Sequence, residues 1–102
     1  MNREEVIATL RTLEPELRAS GIRSLSLFGS MARNSAAPSS DVDIAVKVGE
    51  SFSRRGLDYF GRMEALEQRL SAALGRRVEV VEEPVRKDRF QNQIDRDRAF
   101  AF

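Results

Sequence analysis

Residues 41–48 repeat with a period of two. Val42, Ile44, Val46 and Val48 fall on one side, and Asp41, Asp43, Ala45 and Lys47 on the other. An extended strand sends successive side chains to opposite faces. This octet therefore predicts a strand with one face in a core and the other opening on two carboxylates. A first strand is predicted just before it, over residues 22–28, and it stops abruptly at Gly29-Ser30. Between the two, Gly29 to Arg33 reads as a tight turn entering one helical turn. Asn34 to Ser40 reads as a loop, with Asn34, Ser35, Pro38, Ser39 and Ser40 as its breakers. A link this short favours an antiparallel pair.

The rest of the chain must cover the core face of that pair. Val6, Leu10, Leu13 and Leu17 recur at steps of three and four, which predicts a helix over residues 3–13. Pro15 disfavours helical geometry at Glu14, so a second short piece starts there and ends at Gly21. Residues 49–56 form a polar connector holding Phe52, Arg54 and Arg55. Leu57, Phe60, Met63, Leu66, Leu70 and Leu74 then mark the longest helix, residues 57–74, which Gly75 stops. Residues 77–82 predict a third strand, with Val78 and Val80 on one face and Glu79 and Val81 on the other. Pro84 reads as the start of a last helix, where Phe90 and Ile94 lie one turn apart among Arg86, Lys87, Arg89, Arg96 and Arg98. The final residues, Ala99-Phe100-Ala101-Phe102, alternate small and aromatic. Their rings either cover the sheet edge or offer a contact surface. The expected fold is α/β (α+β): one domain over residues 1–102, with a small mixed three-stranded sheet in the order α-β-α-β-α-β-α. The long helix between strands two and three favours a right-handed parallel crossover.

Composition narrows the chemistry. The chain has no Cys and no His, which excludes disulfides, Cys/His zinc sites, thiol nucleophiles and imidazole bases. Lys and Arg number 17 against 16 Asp and Glu, a formal net charge of +1, so no overall excess of positive charge marks a nucleic-acid binder. The opening Met1-Asn2-Arg3-Glu4-Glu5 is unlike a signal peptide, and no apolar run reaches membrane-spanning length. A cytoplasmic protein is expected, without membrane or direct nucleic-acid partners.

What remains is carboxylate, hydroxyl and guanidinium chemistry. Asp41 and Asp43 share a strand face with Cα atoms about 6–7 Å apart. Two anions so close repel, and a divalent cation turns that repulsion into a site. Mg²⁺ takes one or two carboxylates together with substrate phosphates. Gly29 lets a phosphate approach the backbone where a strand gives way to a helix, and Ser30 adds a hydroxyl donor. Arg33 can reach a triphosphate. Glu79 has the strand parity to join the aspartates, either as a ligand of a second metal ion or as the group that takes a proton from an acceptor hydroxyl.

Gly29-Ser30, a ten-residue gap and Asp41-Val42-Asp43 resemble the G-S-x(10)-D-x-D signature of the DNA polymerase β-like nucleotidyltransferases. The fuller run LFGSMARN…SSDVDIAV is similar to the minimal nucleotidyltransferase (MNT) branch. The resemblance extends over essentially the whole chain. It implies ATP as nucleotide donor, Mg²⁺ (two ions) at Asp41 and Asp43, and a third metal carboxylate at the position of Glu79, where the family usually has Asp. It implies transfer of a nucleoside monophosphate to a hydroxyl with release of pyrophosphate. It further implies an antitoxin partnered with a HEPN-domain RNase toxin, which some members adenylylate on tyrosine. The competing expectation is a binding module with a vestigial site, which neutralises its partner by occlusion.

Overall fold

The computed structural model describes residues 2–35, 41–53 and 56–102. The elements run α1 (Arg3–Thr12), α2 (Glu14–Ala19), β1 (Ile22–Phe28), α3 (Gly29–Ala32), β2 (Val42–Val48), α4 (Glu50–Ser53), α5 (Gly56–Leu74), β3 (Val78–Glu82), α6 (Asp88–Asp97) and β4 (Ala99–Phe100). The predicted Pro38, Ser39 and Ser40 of the first loop, and Arg54 and Arg55 of the connector, lie outside the described residues.

The alternation in β2 organises both layers. Val42, Ile44 and Val46 are fully buried under Val6, Leu10 and Leu17 from the N-terminal helices and Leu66, Leu70 and Leu74 from α5. Each such side chain removed from water contributes about 1.5–3 kcal/mol. The N-terminal helix is held at its start by a capping box in which Asn2 accepts from the Glu5 amide and Glu5 accepts from the Asn2 amide. It breaks at Leu13, as Pro15 requires. The other face of β2 is covered at Ala45, between its carboxylates and the exposed Lys47. Ala45 packs with Phe28 and Ile94 into a second, smaller core closed by α6. Phe90 meets Phe28 edge-on, ring centroids 5.7 Å apart.

The sheet has four strands in the order β3-β2-β1-β4, one more than the sequence predicts. β1 and β2 are antiparallel, and β2 and β3 are parallel, as expected. The additional strand, β4, pairs antiparallel with β1 through Ser26↔Phe100 and Leu27↔Ala99. Two residues are too few to show a period, so only tertiary contact reveals it. The chain continues along β1, with the Ala101 amide donating to the Leu25 carbonyl at 2.9 Å and the Leu25 amide to the Phe102 carbonyl at 3.1 Å. The alternating tail resolves accordingly. Ala101 is buried, Phe102 packs on the main core with the Arg18 guanidinium 5.0 Å from its ring centroid, and Phe100 stays exposed.

Two other expectations need correction. The connector after β2 contains a helical turn, α4, whose Phe52 is buried rather than part of a polar link. Pro84 does not start the last helix. The Glu83–Pro84 peptide is cis, and α6 begins at Asp88. The intervening turn is organised around Glu83, whose side chain is 1% exposed and is gripped by Arg98, itself 11% exposed. Arg98 Nη1 donates to Glu83 Oε2 at 2.9 Å and to Ser26 Oγ at 3.0 Å, while Gln91 Nε2 donates to Glu83 Oε1 at 2.8 Å. Burying one charge requires a matched partner and satisfied lone pairs, and this network supplies both.

Candidate active site

The strand registers place the acids. Asp43 is opposite Phe28 on the antiparallel side and beside Glu79 on the parallel side. Paired residues on adjacent strands point to the same face, with strands about 4.8 Å apart. Asp43 is therefore the hub: the last residue of β1 on one flank, Glu79 on the other, and Asp41 two residues away. Its electrostatics report this crowding. Burial pushes the Asp43 carboxyl above its ordinary value, repulsion from Glu79 and then Asp41 pushes it further, and Arg33 pulls it back.

Gly29 completes the corner. Its φ of +73° is a conformation that favours glycine, and a Cβ there would lie 2.4 Å from Asp43 Oδ2. The carboxylate thus rests against the bare Cα of Gly29. The one-turn helix α3 follows, as predicted. Its turn is closed by the Arg33 amide on the Gly29 carbonyl at 3.1 Å and the Ser35 amide on the Ser30 carbonyl at 2.9 Å. Ser30 stands half-buried beside the corner.

Two residues that the sequence reading passed over belong here. Asp97, the last residue of α6, accepts through Oδ2 from the Gly29 amide at 3.2 Å and from Arg33 Nη1 at 2.7 Å. The backbone donor that a phosphate approaching Gly29 would meet is therefore already paired. The predicted phosphate contact Arg33 is an ion pair with Asp97. Arg77, just before β3, places Nε 4.0 Å from Asp41 Oδ2 and Nη2 3.8 Å from Glu79 Oε1. It is 76% exposed, so solvent screens both contacts. No local motif marks either residue. Asp97 is one acid in a strongly polar helix, and Arg77 one of a pair before a strand.

A cation is testable against these groups. Carboxylate oxygens are the hard donors that Mg²⁺ prefers, and the repulsion that Glu79 and Asp41 exert on Asp43 is what a cation would relieve. Among the described residues no three acidic side chains close into a ready-made cage. Mg²⁺ does not require one, because it keeps waters and substrate oxygens in its shell. The donor set fits on those terms: Asp41 and Asp43, with Glu79 adjacent and more exposed. One cavity, of about 220 Å³, lies between α2, α4 and α5, and a second, of about 320 Å³, lies around Glu83 and Arg98; neither is lined by Asp41, Asp43 or Glu79. No helix among the described residues is long and apolar enough to cross a membrane.

Comparison with known proteins bears on the fold and the family. Residues 11–100 match the family described as Polymerase beta, Nucleotidyltransferase. A Methanocaldococcus jannaschii protein assigned as a protein adenylyltransferase, MJ0435, is 36% identical over 87 residues, covering 81% of this chain and 87% of its own. A solved structure described as a minimal nucleotidyltransferase superposes with a TM-score of 0.74 at 29% identity, over 97% of this chain and 95% of the other. A toxin–antitoxin crystal structure with AMP-PNP superposes with a TM-score of 0.68 at 25% identity, over 100% of this chain and 73% of that one.

Proposed function

Since the chain belongs to the polymerase beta nucleotidyltransferase family, we propose that it transfers AMP from ATP to a hydroxyl, that of a tyrosine, on a partner HEPN-domain RNase toxin and so acts as the antitoxin. The observation that carries this reading is the corner itself: Asp43 lodged against the Cα of Gly29, with Glu79 in register beside it. The relative assigned as a protein adenylyltransferase supports the acceptor class. The toxin–antitoxin neighbour holding AMP-PNP supports the partner and the donor. An ATP donor is consistent with the expected cytoplasmic setting.

The chain's own groups divide the work. The Ser30 hydroxyl and the corner amides hold the phosphate tail, and Arg33 balances its charge. Asp41 and Asp43 would hold Mg²⁺, with Glu79 as a third ligand; bound there, the ion supplies charge neutralisation for the phosphoryl oxygens. The acceptor oxygen bonds to the α-phosphorus as the bond to the bridging oxygen breaks, and pyrophosphate leaves. The acceptor proton passes to a carboxylate at the same face, the role that Glu79 takes as the alternative to ligating a metal ion. An acceptor brought by another protein suits acids that line neither of the two cavities among the described residues.

The test mixes the purified protein with ATP, Mg²⁺ and a HEPN-domain toxin, taken from the adjacent reading frame where that frame encodes one. The expected result is a mass gain of one or more AMP units on the toxin, lost in the Asp41→Ala, Asp43→Ala double variant. Binding without any mass gain refutes the transfer. A second reading, protection by occlusion, draws on Glu79 standing 56% exposed and contacting Arg77. It predicts that the double variant still protects cells, whereas the transferase reading predicts that it does not.

A further inference from the structure

The Asp97 carboxylate occupies donors that a phosphate would need. Its Oδ2 takes both the Gly29 amide and Arg33 Nη1, and its side chain is 12% exposed. One anionic oxygen drawing a backbone N–H and a guanidinium N–H is the same bonding pattern a phosphate oxygen adopts. Nor is the carboxylate free to drift away. The next residue, Arg98, is fixed to Glu83 and Ser26, and β4 pairs with β1 immediately after. A tethered competitor acts at high effective concentration.

We propose that Asp97 is a resident anion that competes for the polyphosphate site, so that a nucleotide's phosphate tail must displace it from Gly29 and Arg33 in order to bind. The inference rests on the nucleotidyltransferase reading and deepens it. Asp97 is then a positioning residue that sets nucleotide affinity, and the end of α6 senses whether the corner is filled. Simultaneous occupancy is opposed by charge, since the phosphate would face Asp97 and Asp43 at once.

Calorimetric titration of the full chain tests this, with MgATP, inorganic pyrophosphate and AMP as probes. Asp97→Asn keeps the size and an acceptor oxygen but removes the charge. Asp88→Asn, at the exposed start of the same helix, controls for net charge. The expected result is a Kd about tenfold lower for MgATP and pyrophosphate in Asp97→Asn, and a change under about twofold for AMP and for Asp88→Asn throughout. Equal affinity in Asp97→Asn and wild type, weaker binding in the variant, or the same gain in Asp88→Asn each overturns the proposal while leaving nucleotide binding intact. Absence of ATP binding in both wild type and Asp97→Asn overturns the underlying reading, and this proposal with it. A wild-type measurement removes dependence on the variant's folding: the Gly29 amide resonance must shift when pyrophosphate saturates the protein, and an unmoved resonance overturns the displacement.

Discussion

Replacing Gly29 by Ala separates the corner's role in folding from its role in the reaction. The added methyl is introduced at φ +73°, where an L residue costs about 1–2 kcal/mol. It also lies 2.4 Å from Asp43 Oδ2, whereas ordinary contact starts near 3.4 Å. The atom it meets is the end of a rotatable side chain, so Asp43 swings aside by about 1 Å rather than the strand moving. A misplacement of that size at a reacting centre can lower the rate about 10²-fold. The expected outcome is a modest fall in urea-unfolding free energy, about 1–2 kcal/mol, with AMP transfer reduced about 10²-fold. Gly29→Asn sharpens the test. Asn tolerates this backbone region far better, so most of the stability returns, while its Cβ still collides with the carboxylate and transfer stays low. A Gly29→Ala protein that folds and transfers AMP at the wild-type rate refutes the coupling between this glycine and Asp43.

Removing the Arg98 guanidinium as Arg98→Met leaves Glu83 buried without its counter-charge. This is expected to cost about 3–5 kcal/mol by denaturant unfolding, with much of it recovered in the Glu83→Leu, Arg98→Met double variant. Arg98, and secondarily Gln91, hold the Glu83 carboxyl below its ordinary 4.5 against the opposing effect of burial. A depressed folded value contributes stability that is fully present above 4.5 and is lost as pH falls through the lowered value, so acid unfolding of wild type should be steeper there than that of Glu83→Gln. Asp43 carries the opposite sign. Its value is raised in the fold, so its ionised form disfavours folding at neutral pH, and Asp43→Asn should raise the melting temperature at pH 7 while abolishing AMP transfer.

How far the sequence carried the structure follows from the length of each signal. The octet of β2 and the later part of the α5 stripe, Leu66, Leu70 and Leu74, stand where their periods put them, whereas Phe60, expected on the same core face, is 77% exposed. The parity argument for Glu79 held because strand alternation is rigid: with Val78 and Val80 turned to the core, Glu79 faces the side of Asp43. The other misses have one physical cause. β4 is two residues long, Asp97 touches Gly29 from 68 positions away, and Glu83 is buried only because Arg98 returns to meet it. Each is a long-range pairing whose local sequence is ordinary. Pro84 misled for a related reason, since a proline that suits a first helical turn also suits a turn, and the surroundings of Glu83 decided between them.

β2 has hydrogen-bonded neighbours on both sides, whereas β4 is tied to the sheet through two registered residue pairs and the short run after them. Amides of the first kind exchange with solvent deuterium only when the whole molecule opens, and those of the second through cheap local fraying. The amides of β4 should therefore exchange first, while buried Ile94 and the Glu83–Arg98 pair keep Asp97 at the corner until the fold itself opens.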